Sequence, residues 1–309
     1  MYSRFTAISG YGEKEQRMLE DSEVAVVGLG ATGSVVADSL ARHGVNLVLI
    51  DRDYLEEKDV YSSSVYGPEH CRESLPKARA AAEILSGMTD IESHVASLGN
   101  SSTGLLEGVD LVLDGTDNLR TRHIISEYCR EREIPWIYTA AIAEKGYSMF
   151  FRDECFNCLI GEKMPDLGTC ETEGVMREVA ARTGLKSAQK AVKHLSGKDV
   201  PERLDVVHTG DRLDVESPGC RVCGEGERPH LEGDARTVSV CGEEKYQVRG
   251  EGTPETDELE SAEVIARNEH LVRLEYDGRE ITFFSSGRAI VEARDRGHAE
   301  ALYSELVGG

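Results

Sequence analysis

The chain has 309 residues and a mass of 33.9 kDa, with 39% hydrophobic and 30% charged residues, too apolar for a disordered polypeptide and too polar for a membrane protein. Its formal charge is −22, and its 35 basic residues divide into ten Lys and 25 Arg, so the surface repels nucleic acid and stays hydrated even in concentrated salt. No apolar run approaches the ~20 residues of a bilayer span, and Met1-Tyr2-Ser3-Arg4-Phe5 lacks an apolar secretory core, which predicts a cytoplasmic protein with no membrane partner.

In chain order, residues 23–28 read as a short apolar strand that ends in Gly28-Leu29-Gly30-Ala31-Thr32-Gly33, followed by a helical stretch to His43 and a second strand at 45–51. This strand, glycine turn, helix and strand make one βαβ unit with an acid, Asp51, at its end. Gly28, Gly30 and Gly33 let backbone N–H groups approach a phosphate at the helix N-terminus. Beyond it a helix is expected at 75–85, a buried strand at 108–114, an amphipathic helix at 118–133 and an apolar strand at 134–141. The alternation predicts an α/β fold with a doubly wound, mostly parallel sheet covered on both faces.

Residues 159–181 lose periodicity and read as a crossover loop, 182–196 return to helix, and 224–233, rich in Gly and Glu around Pro229, read as a linker. The expected organisation is therefore a nucleotide-binding domain at 1–223 and a small α+β domain at 234–309. In the latter, strands are expected at 237–241, 271–276, 280–284 and 288–293, with helices at 258–268 and 298–306. Asp277-Gly278 between two strand patterns is a hairpin signal.

Eight cysteines are informative by position. Cys155-Phe156-Asn157-Cys158 and Cys220-Arg221-Val222-Cys223 are two C-x-x-C pairs with 61 residues between them. In a chain without a secretion signal, such pairs favour tetrahedral Zn2+ thiolate ligation over disulfides, and a closed four-thiolate site is structural. A redox dithiol explains one pair but not two. Cys71, Cys129 and Cys241 read as packing residues.

A glycine turn followed by Asp51 also satisfies a nicotinamide dehydrogenase. That reading leaves unexplained Lys77 in Leu75-Pro76-Lys77-Ala78, and Asp114-Gly115-Thr116-Asp117-Asn118 after the next strong strand. Ligands of doubly wound sheets collect at the C-terminal strand edge, where Gly30, Asp51, Asp53, Lys77 and Asp117 can converge. A lysine among carboxylates suits ATP with Mg2+, because transfer at phosphorus depends on charge neutralisation and positioning.

With these motifs in this order, together with Tyr2-Ser3-Arg4 and Thr169-Cys170-Glu171-Thr172-Glu173-Gly174-Val175, the chain resembles the HesA/MoeB/ThiF family of sulfur-carrier adenylyltransferases over residues 2–223. It is more distantly similar to ubiquitin-activating enzymes. The resemblance implies that a small carrier protein ending in Gly-Gly presents its carboxylate to the α-phosphorus of ATP, giving an acyl-adenylate and pyrophosphate. It places Asp51 and Asp53 at the ribose and metal side, Lys77 on phosphate, Asp117 on Mg2+, and Asn118 in the nucleotide-binding set. Arg4 reaches in from the partner subunit of a homodimer. Cys170 aligns with a cysteine that in some members captures the activated carrier, and its other reading is a spare loop thiol.

One departure stands out: where the family has an Asn and, three residues on, an Arg that clamps phosphate, this chain has Asp59 and Ser62, with Arg72 and Arg79 as nearby candidates to substitute. Rival readings are an ATP-dependent dehydratase of a tRNA nucleoside, opposed by the charge of −22 and the cysteine pairs, and a catalytically silent carrier-binding module, supported by Ser62. Gly308-Gly309 at the chain's own end reads as a frayed terminus, with self-adenylation as its alternative.

Overall fold

The structure, a computed structural model, describes residues 2–160, 173–215, 219–231, 237–239, 244–250, 262–285 and 287–307. Cys170, Cys241 and Gly308-Gly309 lie outside these residues, as does the greater part of the stretch read as a crossover loop. The chain divides into two compact units, Met1–Gly233 and Asp234–Gly309.

In the first unit, α1 (Ser3–Thr6) and α2 (Glu13–Glu20) precede β1 (Glu23–Val27), α3 (Gly33–Ala41) and β2 (Asn46–Asp51). Then come α4 (Glu57–Ser62), α5 (Pro68–Arg72), α6 (Lys77–Leu85), β3 (Ile91–Val95), β4 (Leu111–Asp114), α7 (Leu119–Arg132) and β5 (Trp136–Ile142). The unit closes with β6 (Lys145–Phe151), α8 (Phe156–Ile160), α9 (Arg177–Leu195), β7 (Arg203–Val206) and β8 (Asp211–Asp214).

These strands form one eight-stranded sheet in the order β3-β2-β1-β4-β5-β6-β7-β8. The first five run parallel, and β6, β7 and β8 extend the sheet antiparallel. Period-two alternation sends Val24 and Val26 of β1 to a core shared with α3, α6 and α9. Ala25 and Val27 point to the other face, where α7 packs with Trp136, Tyr138, Phe151 and Phe156. Strands buried on both faces read as unbroken apolar runs, which is why β1, β2 and β4 are evident in the sequence. Cys129 lies in the second core and Cys71 Sγ donates to the Glu56 carbonyl at 3.1 Å.

The crossover reading needs correction at its ends. Residue 160 still belongs to α8, and α9 begins at Arg177 rather than 182. Val179 and Ala180 are buried against Ala141, so the first turn of α9 is fixed by packing that the local composition does not reveal.

The second unit is a six-stranded antiparallel sheet in the order β11 (Ala262–Arg267), β12 (Leu271–Tyr276), β13 (Arg279–Phe284), β14 (Ala289–Glu292), β10 (Lys245–Val248), β9 (Thr237–Ser239), with α10 (Arg296–Val307) packed on it. Asp277 and Gly278 both have positive φ, +52° and +67°, as a two-residue hairpin between β12 and β13 requires. The helix expected at 258–268 is instead β11 over its described part. Its Ala and Glu content favours helix, but pairing along β12, with an irregularity between Val264 and Ala266, decides the outcome. Among the described residues, no helix is long and apolar enough to cross a membrane.

Candidate active site

The site is built where β1, β2 and β4 end. Gly28 has φ +82°, and a Cβ there would lie 2.9 Å from backbone atoms of Gly115. A Cβ on Gly33 would sit 1.8 Å from the Gly28 carbonyl oxygen, and one on Gly115 would meet that oxygen at 2.7 Å. Three glycines thus pack backbone on backbone, locking the turn after β1 to the loop after β4. Gly30 has nothing within 4 Å of its Cβ position, so this part of the turn faces open space at the N-terminus of α3.

Asp51, at the end of β2, ties the turn down. Its Oδ2 accepts from Leu29 N–H at 2.6 Å and its Oδ1 from Asp53 N–H at 2.7 Å. Each oxygen thus accepts one backbone donor, and the partly exposed Asp53 sits beside it, 3.5 Å from Arg52. Burial, with the charge of Asp53, pushes Asp51 up to about 6, against the pull of Lys77 and its own hydrogen bonds.

Lys77 opens α6, its backbone N–H donating to the Asp53 carbonyl at 2.8 Å. Its ammonium is 2.9 Å from Asp59 Oδ1, and both side chains are largely buried. Burial works against this charge, but Asp59, Asp51 and Asp53 outweigh it and hold Lys77 above the ordinary lysine range. Asp59 is itself fixed, because its Oδ2 accepts the Glu56 N–H at 2.9 Å at the start of α4. Tyr66 bridges turn and helix by donating to the Leu29 carbonyl at 2.8 Å.

Asp114, fully buried, shapes the other wall. Its Oδ1 accepts from Thr116 N–H at 2.9 Å and Thr116 Oγ1 at 2.6 Å, and Arg122 Nε approaches Oδ2 at 3.3 Å. Arg122 also donates to the Thr116 carbonyl. The loop so formed leaves Asp117 exposed, while Asn118 Oδ1 caps α7 by accepting from Thr121 N–H at 2.8 Å. Glycine turn, Asp51, Asp53, Lys77 and Asp117 are all gathered at this strand edge.

Arg4 is not gathered there. The neighbouring Phe5 ring packs at 4.9 Å on His43, just past the C-terminus of α3. The glycine turn is at the opposite end of that nine-residue helix, about 13 Å away at 1.5 Å per residue. Arg72 and Arg79 are exposed, and Arg79 donates to Ser93 Oγ at 3.2 Å.

The four cysteines of the two C-x-x-C pairs converge. Sγ separations are 3.6 Å for Cys155–Cys158, 3.3 Å for Cys155–Cys220, and 3.4 Å for both Cys158–Cys223 and Cys220–Cys223. These are far beyond the ~2.05 Å of a disulfide and close to the ~3.8 Å edge of a tetrahedron with Zn–S of ~2.3 Å. Cys223 N–H also points at Cys220 Sγ at 3.5 Å. Burial pushes the Cys155 thiol up, an expense that a bound cation reverses. The donor set fits Zn2+.

Comparison with known proteins agrees with this layout. A model of the ThiF family matches residues 2–224. The chain belongs to the ThiF family. It is 25% identical to the sulfur carrier protein ThiS adenylyltransferase of Bacillus subtilis, over 99% of both chains. It is 31% identical to the SAMP-activating enzyme E1 of Haloferax volcanii over 78% of this chain and 94% of that one, and 29% identical to the molybdopterin-synthase adenylyltransferase of Escherichia coli over 72% and 96%. Among solved structures it shares the fold of E. coli MccB in complex with ATP, with a TM-score of 0.62 at 15% identity over 72% of this chain and 74% of that one.

Within this ThiF-family site, Asp59, Arg122 and Tyr66 are contributors that the sequence did not single out for what they do. Asp59 was visible as a departure from the family pattern, and its place 18 residues before Lys77 gives no hint of the ion pair. Arg122 follows its N-cap Asn118 by four residues, a spacing that could have suggested a helix-borne cation facing the loop.

Proposed function

We propose that this protein adenylates the C-terminal carboxylate of a small sulfur-carrier or ubiquitin-like protein ending in Gly-Gly, consuming ATP and releasing pyrophosphate. The observation that carries this is the gathering of a glycine turn left open at Gly30, the buried ammonium of Lys77 and the accessible carboxylates of Asp53 and Asp117 at one strand edge, in a chain that aligns end to end with a ThiS adenylyltransferase.

The reaction forms a bond from a carrier carboxylate oxygen to the α-phosphorus and breaks the bond from that phosphorus to the bridging oxygen of pyrophosphate. Such transfer needs alignment and charge neutralisation more than covalent help. Backbone N–H groups around Gly30 receive phosphate oxygens, and Lys77, held charged by three carboxylates, faces the anionic phosphates. Asp117 with Asp53 would hold the Mg2+, which supplies further neutralisation when bound. Asp51 and Asn118 act through the backbone, the first anchoring the glycine turn and the second capping the helix behind Asp117.

Because Arg4 lies at the far end of α3, a second copy of the chain supplies it, making the working unit a homodimer. Cys155, Cys158, Cys220 and Cys223 would hold Zn2+ as a closed structural site, which requires the reducing conditions of the cytoplasm.

The test is ATP–pyrophosphate exchange that depends on a Gly-Gly-ended carrier, with Asp117→Ala as control. Exchange lost on removing the carrier's last two glycines supports the proposal. Absence of exchange with every cognate carrier overturns it, and so does exchange that survives Asp117→Ala unchanged.

A further inference from the structure

Helix α4 is moored by a charge rather than by an apolar face. Among its described residues only Asp59 is buried; Val60 is half-buried and Tyr61 is 72% exposed. The oxygens of Asp59 divide between two donors. Oδ1 meets the Lys77 ammonium at 2.9 Å, and Oδ2 accepts the Glu56 N–H at 2.9 Å, closing the first turn of the helix. One carboxylate therefore joins α4 to Lys77, and an amide, with its single oxygen, cannot serve both donors.

The excursion that carries α4 is closed at its neck without the ammonium. Leu55 N–H donates to the Leu75 carbonyl and Lys77 N–H to the Asp53 carbonyl, both at 2.8 Å, and Tyr54 bridges Pro76. Further along, Tyr66 donates to the Leu29 carbonyl at 2.8 Å, and Val65 and Cys71 pack on the core. It is thus residues 56–62 that depend on the ion pair, and a short helix with so little apolar burial belongs to the least stable parts of a fold.

Under the adenylation reading, on which this inference rests, Lys77 faces the phosphates of ATP. An ammonium has three hydrogens, but a carboxylate and a phosphate placed around it repel each other, and Asp51 and Asp53 add to that repulsion. Helix α4 brings no cation to offset it. Glu57 and Asp59 outnumber Lys58, which is already 2.7 Å from Glu56, and position 62 is Ser.

We propose that Asp59 is a positioning residue that competes with phosphate for Lys77: nucleotide binding moves the ammonium from Asp59 to phosphate, and α4, losing its mooring, opens toward solvent. No covalent bond changes. The ammonium exchanges one anionic partner for another, and the Asp59 carboxylate gains water in place of the cation.

Hydrogen–deuterium exchange of the full-length protein, with and without Mg2+ and α,β-methylene ATP, tests this. The backbone amides of Glu56, Asp59 and Ser63 donate to Asp59 Oδ2, the Glu56 carbonyl and the Asp59 carbonyl, each at 2.9 Å. They should exchange about tenfold faster with the analogue bound, as loss of one charge-assisted hydrogen bond predicts, while those of Leu55 and Lys77 at the neck should not change. Asp59→Asn, whose amide oxygen can keep the Glu56 N–H, should show the faster exchange without nucleotide and respond no further. Its KM for ATP in pyrophosphate exchange should fall about tenfold, the opposite of what a merely loosened fold would give. An analogue that binds by calorimetry without speeding exchange at 56–63 overturns the inference and leaves adenylation standing, and so does an unchanged or raised KM in Asp59→Asn. An analogue that fails to bind the wild type overturns both. If Asp59→Asn does not fold, the wild-type exchange measurement decides by itself.

Discussion

Replacing Lys77 with Met removes an ammonium while keeping its stem, and the surroundings set the cost. Asp59 and Asp51 are only 5% and 7% exposed, and the ammonium sits 2.9 Å from the first of them. Deleting one partner of so buried a pair costs about 3–5 kcal/mol. For a unit of this size each kcal/mol shifts the melting temperature by about 2–4 °C, so a fall of about 6–20 °C is expected at about pH 8.

The pH dependence follows from Asp51, which burial holds up at about 6 even with Lys77 present. A carboxyl raised above its unfolded value adds stability that is fully present below the unfolded pKa and is lost as pH rises through the folded one. Deleting the cation raises that folded value further, so the variant's deficit should grow from about pH 5 to about pH 8. Lys77→Met with Asp59→Asn removes the nearest of the orphaned charges and should recover part of the melting temperature, with the deficit due to Asp51 remaining, and without recovering pyrophosphate exchange. Calorimetry across this range checks both points. A Lys77→Met protein that melts within about 2 °C of the wild type at about pH 8, or whose deficit is the same at both pH values, refutes the reasoning.

Other substitutions separate folding from chemistry. Gly30→Ala has open space around its new methyl group and should stay within about 0.5 kcal/mol of wild-type stability, yet raise the KM for ATP about tenfold by displacing phosphate; Gly33→Ala, whose methyl would lie 1.8 Å from the Gly28 oxygen, should fail to give folded protein. Asp51→Ala leaves the Leu29 and Asp53 N–H groups without their acceptor, so a loss of about 1–3 kcal/mol for each buried donor and weaker ATP binding should appear together in denaturant titration and exchange kinetics. Cys220→Ser should abolish stoichiometric zinc at the four-cysteine cluster, measured by elemental analysis, and lower thermal stability even in excess zinc. Cys170→Ser should leave carrier-dependent exchange intact, and a thiol-sensitive carrier adduct seen with the wild type should vanish; equal adduct in both proteins makes Cys170 a spare thiol.

The parts of this fold that were legible in the sequence are those fixed by local physics. Gly28, Gly30 and Gly33 stand at the spacing a strand-to-helix turn requires, the apolar runs of β1, β2 and β4 mark doubly buried strands, and Asp277-Gly278 fits the positive φ of its hairpin. What escaped depends on partners remote in the chain. β11 carries helix-favouring residues and becomes a strand because β12 lies beside it. The antiparallel extension through β6, β7 and β8 rests on pairings such as Tyr147 with Val206, which local periodicity does not encode. In the site, the residue types at Asp51 and Asn118 were evident, but their hydrogen bonds to backbone appear only once the turn is folded. Asp59 reads as a lost amide in sequence and as the counter-ion of Lys77 in space.

The contact among Gly28, Gly33 and Gly115 also limits how this protein can change. A side chain that collides with a neighbouring side chain can be accommodated by shrinking the neighbour, but here each methyl group would strike main chain, which no second mutation can trim. Compensation is therefore closed at all three positions, and substitutions that reshape this strand edge have room only at its rim, where Asp53 and Asp117 lie, around a frame of bare backbone.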